Sequence, residues 1–222
     1  MEIKQTVTDY LKSNMYLITE NGHALLIDPC FDEELINDLI KKDIIIDYLF
    51  LTHEHYDHIS GVNLWKEYFP QTEVMCGEIC AQRIQNSRAN SSRYFEAFCQ
   101  IQTWAKDQKP IHGTEFVCHA DRTFSNGDFV IWQGHKLFFK EAPGHSPGSM
   151  LIFLDDIILF SGDSLMRDHL AATRFPGGNT KIYNEQTLPF IMSLSENIKV
   201  YPGHMEPFVL SECLAWEQNK KG

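Results

Sequence analysis

The heptapeptide Thr52-His53-Glu54-His55-Tyr56-Asp57-His58 packs four side chains of metal-binding type into six residues. Histidine offers a neutral imidazole nitrogen and aspartate a carboxylate oxygen, the mixture that suits zinc and other borderline divalent ions. A merely polar turn does not reach this density of ligands. The motif follows the apolar run Ile44, Ile45, Ile46, Tyr48, Leu49, Phe50 and Leu51, which predicts a buried strand. Its ligands therefore stand at a strand end, where one loop can aim several of them at a common point.

Three more residues recur in the same setting. His145 lies in APGHSPGS (Ala142 to Ser149) after Leu137, Phe138 and Phe139, and Asp163 lies in SGDS (Ser161 to Ser164) after Ile157, Ile158, Leu159 and Phe160. His204 lies in YPGH (Tyr201 to His204) after Ile198 and Val200. Each stands where a short β-type run meets glycine, a residue that permits a tight backbone bend. Four strand ends thus deliver seven candidate ligands. Ser149, Ser161 and Ser164 beside the motifs are read as turn residues and not as nucleophiles.

With these residues in place the chain resembles the metallo-β-lactamase-fold hydrolases, and within them the glyoxalase II-like branch. The resemblance runs from SNMYLI (Ser13 to Ile18) and LLIDP (Leu25 to Pro29) through the four ligand motifs. It implies an α/β fold, a four-layer αββα sandwich. It also implies one metal held by His53, His55 and His145, a second held by Asp57, His58 and His204, and Asp163 bridging the two. Asp28 would orient a ligand histidine through its other ring nitrogen. Two divalent ions are expected, zinc first, with iron or manganese also suited to a carboxylate bridge.

The chemistry that follows is cleavage of a thioester or ester by hydroxide generated at the metals, with the same ions polarising the carbonyl. Asp57 is the expected catalytic proton acceptor. A thioester of the hydroxyacylglutathione type is the first expectation, and a lactone or other small ester the second. A mononuclear iron persulfide dioxygenase is the alternative of a different class. A carboxylate at position 163, where class B β-lactamases commonly use cysteine or lack a ligand, disfavours antibiotic hydrolysis. The segment Thr173 to Asn179 corresponds to a substrate-receiving loop in the resembled family, so Arg174 and Phe175 are the candidate substrate contacts. Arg174 has the planar fork that clamps a carboxylate. Only 18 residues follow His204, too few for the helical domain of full-length glyoxalase II enzymes.

The interval between His58 and His145 is longer than the resemblance implies, and residues 78–109 contain no glycine or proline. A helical insertion, continuous or nearly so, is predicted there. Tyr94, Phe98, Ile101 and Ala105, with Phe95 and Trp104 alongside, recur at three- and four-residue steps and predict one buried stripe. Functionally, such an insertion would overhang the metals or form a dimer contact. His169, six residues after Asp163, is expected at the pocket.

Composition agrees with a single enzyme domain over 1–222. A 43% hydrophobic content can fill one core. Nineteen basic against 30 acidic side chains leave a net charge of −11. That balance opposes nucleic-acid binding, so the expected partner is a small-molecule substrate, with a homodimer as a further expectation. Neither a signal-type run nor a membrane-length apolar segment stands out, so no membrane contact is expected. The six cysteines form no CxxC pair, which fits reduced thiols and a cytoplasmic location.

Overall fold

The computed structural model describes residues 1–8, 11–101 and 115–213. Among these, strands form two six-stranded sheets. The first contains, in spatial and sequence order, β1 (Glu2–Val7), β2 (Asn14–Glu20), β3 (His23–Ile27), β4 (Ile45–Phe50), β5 (Glu73–Gly77) and β6 (Arg122–Phe124). β1 to β3 pair antiparallel, and β3 to β6 pair parallel. The second sheet comprises β7 (Phe129–Trp132), β8 (His135–Glu141), β9 (Met150–Leu154), β10 (Ile158–Gly162), β11 (Lys199–Pro202) and β12 (Phe208–Val209), with only β10 and β11 parallel.

Alternation along the central strands explains the layering. In β2 and β3, Tyr16, Ile18, Leu25 and Ile27 point into the core between the sheets, where they meet Phe139, Ile152 and Phe160. Their neighbours Met15, Leu17, Ala24 and Leu26 point the other way, onto a helical layer that supplies Leu35, Ile36, Leu39 and Trp65. β9 divides likewise: Ile152 and Leu154 face inward, whereas Leu151 and Phe153 pack outward against Tyr183 and Ile191. A strand covered on both faces must be apolar at every position, which is why these segments read as continuous hydrophobic runs. The result is the expected four layers, helix, sheet, sheet, helix.

The helices on the first sheet are α1 (Glu33–Lys41), α2 (Tyr56–Ile59), α3 (Val62–Tyr68), α4 (Glu78–Arg83) and α5 (Phe95–Ile101). Asp32 caps α1 by accepting from the Leu35 amide at 2.9 Å, and Glu33 and Glu34 complement the positive end of the helix. α3 starts at Gly61, whose amide donates to the Pro29 carbonyl at 3.0 Å. A Cβ at Gly61 would collide with the Cys30 carbonyl and come to 2.8 Å from the Pro29 oxygen. Gly61→Ala is therefore expected to destabilise the protein by about 2–3 kcal/mol through backbone displacement, read from the denaturant midpoint of unfolding.

The predicted helix over 78–109 is interrupted. α4 ends at Arg83, and helix resumes only with a 3₁₀ turn (Ser92–Tyr94) leading into α5. The polar run between them satisfies its backbone through side chains instead. Asn86 Oδ1 accepts from the Arg88 and Ala89 amides at 3.0 and 3.2 Å, and Asn90 Nδ2 donates to the Ile84 and Phe116 carbonyls at 3.2 and 2.9 Å. Ser91 takes a left-handed φ of 68°. Asparagine and serine compete with the helix in this way without any glycine or proline. The buried stripe also differs from the predicted one. Phe95 and Cys99 are buried, whereas Tyr94 is 49% exposed and Phe98 is half-buried. Trp104 and Ala105 lie outside the described residues, as does the side chain of Ile101.

Candidate metal centre

All four ligand motifs leave strand ends on the same edge of the sandwich. β4 runs into Thr52 to His58, β8 into the turn carrying His145, β10 into Asp163 and β11 into His204. Backbone hydrogen bonds tie these ends together, Gly203 N to Gly162 O at 2.8 Å within the second sheet, and Met150 N to Thr52 O at 2.8 Å and Asn14 N to Gly203 O at 2.7 Å between the sheets. Gly162 takes φ 48°, and a Cβ there would strike the Thr52 side chain, so β10 can pass close to the β4 loop only with glycine at this position.

The seven side chains converge. One ligand atom from each of His53, His55 and His145 lies within 4.8 Å of the others, and the same holds for Asp57, His58 and His204. Asp163 faces both groups: its Oδ2 is 3.4 Å from His145 Nε2 and 3.4 Å from His204 Nε2, and its Oδ1 is 3.5 Å from His58 Nε2. Asp57 Oδ2 is 3.4 Å from His58 Nε2 and 3.5 Å from His204 Nε2.

Hydrogen bonds on the far side of the rings orient them. His145 Nδ1 is 2.8 Å from the Ala172 carbonyl, which can only accept, so this nitrogen carries a proton and Nε2 is the nitrogen turned toward the other donors. His58 Nδ1 donates in the same way to Asp28 Oδ2 at 3.1 Å. The Thr52 hydroxyl donates to Asp28 Oδ2 at 2.6 Å, so His53 Nδ1, 3.0 Å from that hydroxyl, must be the donor of its own bond. His53 Nε2 is then left as a buried lone pair with no partner, and Asp163 Oδ1 is likewise buried without a hydrogen bond. Buried acceptors of this kind are costly unless a ligand satisfies them. Two groups of nitrogen and carboxylate donors around such orphaned atoms suit divalent cations. A third grouping, Asp28 with His53 and His58, is also within reach, but the Asp28 oxygens are already engaged by Thr52 and His58.

Electrostatics divide the site. Burial, reinforced by neighbouring imidazoles, pushes the pKa values of His53 and His55 well below the usual histidine value, which keeps both neutral. Burial alone would also lower His58, but the carboxylates of Asp57, Asp163 and Asp28 outweigh it and raise this ring to about 10. His204 is raised for a similar reason, with Asp163 overcoming burial. Without a cation, His58 is thus protonated at neutral pH and His204 is shifted in the same direction, so metal ligation must displace the His58 proton. Uptake at the Asp57, His58 and His204 group is expected to release at least about one proton, that of His58, and its affinity to climb with pH toward about 10. Calorimetry in buffers of different ionisation enthalpy measures this directly, and uptake without proton release would contradict it.

The centre opens into a cavity of about 430 Å³ lined by His55, Asp57, His145, Asp163 and His204 on the floor and by Tyr94, Phe98, Phe175 and Met166 among the walls. His169 also lines it. Of the two predicted substrate contacts, Phe175 stands at the cavity, its ring 6.2 Å from that of His145, whereas Arg174 is exposed and does not line it. Ser149 serves its turn, bonding the Ser146 amide at 3.1 Å, and the Ser161 hydroxyl caps the Leu165 carbonyl at 2.8 Å. Sequence reasoning passed over Glu54. Buried between the two histidines, it pairs with Arg83 and accepts from Ser146 Oγ at 2.8 Å, which fastens the ligand loop to α4 and to the His145 turn. Strand-like alternation was the available signal, since it turns Glu54 away from the direction taken by His53 and His55.

The sequence pattern of the metallo-beta-lactamase superfamily matches residues 8–204. The chain belongs to that superfamily and is a metallohydrolase. It is 25% identical over 206 residues to a probable metallo-hydrolase of Streptococcus pyogenes, covering 92% of this chain and 84% of that one. It is 24% identical over 160 residues to a hydroxyacylglutathione hydrolase of Aeromonas hydrophila, covering 72% of this chain but only 49% of the relative, about half its length. Among solved structures, that of the B3 metallo-beta-lactamase BLEG-1 superposes with a TM-score of 0.76 at 24% identity, covering 95% of each chain, a likeness of fold.

Proposed function

We propose that this protein hydrolyses a carboxylic thioester or ester at a dinuclear centre held by His53, His55 and His145 on one side, Asp57, His58 and His204 on the other, and Asp163 between them. The observation that carries the proposal is the pair of orphaned buried atoms, His53 Nε2 and Asp163 Oδ1, inside a seven-donor cradle that opens to a cavity. Divalent ions bound there would supply Lewis acidity, lowering the pKa of a water toward about 7 and polarising a carbonyl. Zinc is the first choice from the donor set, and the carboxylate bridge also suits iron or manganese.

The chain's own residues do the rest. Thr52, Asp28 and the Ala172 carbonyl hold three imidazoles with Nε2 presented inward. Asp57, on the cavity floor, stands to take the proton lost by the attacking water and deliver it to the leaving sulfur or oxygen. In balance, the acyl carbon gains a bond to the water oxygen, its bond to sulfur or alkoxy oxygen breaks, and a carboxylate and a thiol or alcohol result, with the second proton of the water released to solvent. A hydroxyacylglutathione hydrolase among the relatives supports the thioester bond as the first to be tried. Among the described residues no helix is long and apolar enough to cross a membrane. The six cysteines are all buried and none is joined in a disulfide, which supports a reducing setting.

A metal-loaded preparation should cleave neutral thioesters or lactones anaerobically, lose that activity on chelation and regain it with added zinc, manganese or iron. Chelator-insensitive hydrolysis would overturn the metal-dependent mechanism. Turnover that requires iron and consumes oxygen would replace the hydrolase with a dioxygenase.

A further inference from the structure

We infer that the substrate carries an uncharged apolar group of substantial size beside its scissile carbonyl, received by the aromatic wall formed by Tyr94, Phe98 and Phe175, and that a glutathione moiety is a poor occupant of this cavity. The inference rests on the hydrolase proposed above and specifies which esters or thioesters that centre accepts.

Three observations lead to it. First, the wall is built from two distant parts of the chain that meet over the metal cradle: Phe98 on α5 and Phe175 on the loop after Asp163 contact edge to face, with centroids 5.6 Å apart. Phe175 in turn contacts the ring of His145, so the aromatic surface begins directly at the metal-binding donors. Second, this wall stays open although apolar. Tyr94 is 49% and Phe175 is 39% exposed, while their neighbour Phe95 is buried against Tyr56 at a centroid distance of 4.9 Å. The α5 segment therefore has its core anchor in Phe95, and Tyr94 and Phe98 are left for whatever enters the cavity. Third, the charge is of the wrong kind for glutathione. Among the described residues no lysine or arginine lines the cavity, and Arg167 and Arg174, the arginines of the loop after Asp163, are exposed outside it.

Glutathione brings two carboxylates that lose hydration on entering such a space, and an aromatic wall returns no hydrogen bonds for them. A hydrocarbon chain or aryl ring, by contrast, gains from every atom removed from water. About 430 Å³ falls in the range that encloses a small organic ligand. The carbonyl would lie over the donors on the floor, with the apolar flank against Phe98 and Phe175.

The test uses the metal-loaded protein and straight-chain acyl thioesters, acetyl to decanoyl, of an uncharged thiol, alongside a hydroxyacyl thioester of glutathione. Specificity, kcat/KM, should rise about threefold per added methylene until the cavity is filled. The glutathione thioester should fall at least about tenfold below the hexanoyl compound. A flat series, or preference for the glutathione thioester, would overturn the inference. Binding of the matching straight-chain carboxylates, measured by calorimetry, gives a readout independent of turnover. Should no ester or thioester be cleaved while carboxylate affinity still climbs with chain length, the hydrolase proposal fails and the apolar pocket stands. If affinity too is flat, the pocket inference fails. Phe98→Ala and Phe175→Ala should flatten the chain-length dependence with metal content unchanged. Phe98→Arg should shift preference toward the charged glutathione thioester, and an unaltered order of preference in all three variants would count against the assigned wall.

Discussion

Asp163→Ala is expected to reduce kcat/KM by at least about a thousandfold, the equivalent of about 4 kcal/mol of lost transition-state stabilisation. The side chain is the only one of the seven that faces both donor groups, at 3.4 Å from His145 Nε2 and His204 Nε2 and at 3.5 Å from His58 Nε2. Its carboxyl is held well below the usual carboxylate range. Burial would raise it, and the charges of His204, His58 and His145 outweigh that effect. At neutral pH it is therefore a full negative charge offered to whatever cations the histidines bind. Removing it leaves three imidazoles on one side and Asp57 with the imidazoles of His58 and His204 on the other, with no carboxylate shared between them, so metal content measured by mass spectrometry should fall from about two ions per chain to about one or fewer. Asp163→Asn keeps the volume without the charge and separates packing from ligation. A variant at either level that retained two ions and activity within about tenfold of the parent would refute the bridging role.

Asp28→Ala should be the most damaging single change to stability away from the metal donors. The carboxylate is 3% exposed and accepts three hydrogen bonds, from the Thr52 amide at 2.7 Å, the Thr52 hydroxyl at 2.6 Å and His58 Nδ1 at 3.1 Å. Its loss strands a buried amide, a hydroxyl and an imidazolium, a cost of about 3–5 kcal/mol. Alanine also has to adopt φ 52°, a conformation that aspartate tolerates better, adding about 1 kcal/mol. Thermal unfolding of the metal-free protein reads the sum. Asp28→Asn accepts the backbone strain and can still receive the Thr52 amide, but it offers an NH₂ where His58 or the Thr52 hydroxyl needs an acceptor. It should recover part of the stability while weakening metal affinity by about 10- to 100-fold. Equal metal affinity in Asp28→Asn and the parent would show that orientation of His58 does not pass through this carboxylate.

The two residues differ in how visible they were beforehand. Asp163 could be identified because glycine and a buried strand frame it, and Asp28 only through the family resemblance, as the aspartate of LLIDP. The bonding chain from Asp28 through Thr52 to His53 was not legible, since a threonine beside a histidine carries no spacing signal. The helical insertion shows the opposite failure. Lack of glycine and proline in 78–109 suggested a continuous or nearly continuous helix, yet Asn86 and Asn90 bind the backbone locally and interrupt it. Phe98 looked like core by periodicity. It lines the cavity because Phe95 and Cys99, one turn apart on α5, take the core positions.

Arg174 and Phe175, adjacent in sequence, were indistinguishable as substrate contacts. The loop turns one toward solvent and the other toward His145.

What the amino-acid sequence determined alone was the set of buried strand segments, through their continuous apolar runs, and the seven candidate donors, through side-chain chemistry that repeats at strand ends. Both are local properties, written within a few residues of where they act. The four-layer arrangement was implied by the resemblance those motifs carry. Tertiary structure decided which imidazole nitrogen faces inward, which aromatic rings wall the cavity and which charges are near enough to shift a neighbour's proton. These depend on contacts between segments as far apart as Ser13 and His204, and contact distances of a few ångströms follow from packing the whole chain, not from any one stretch of it.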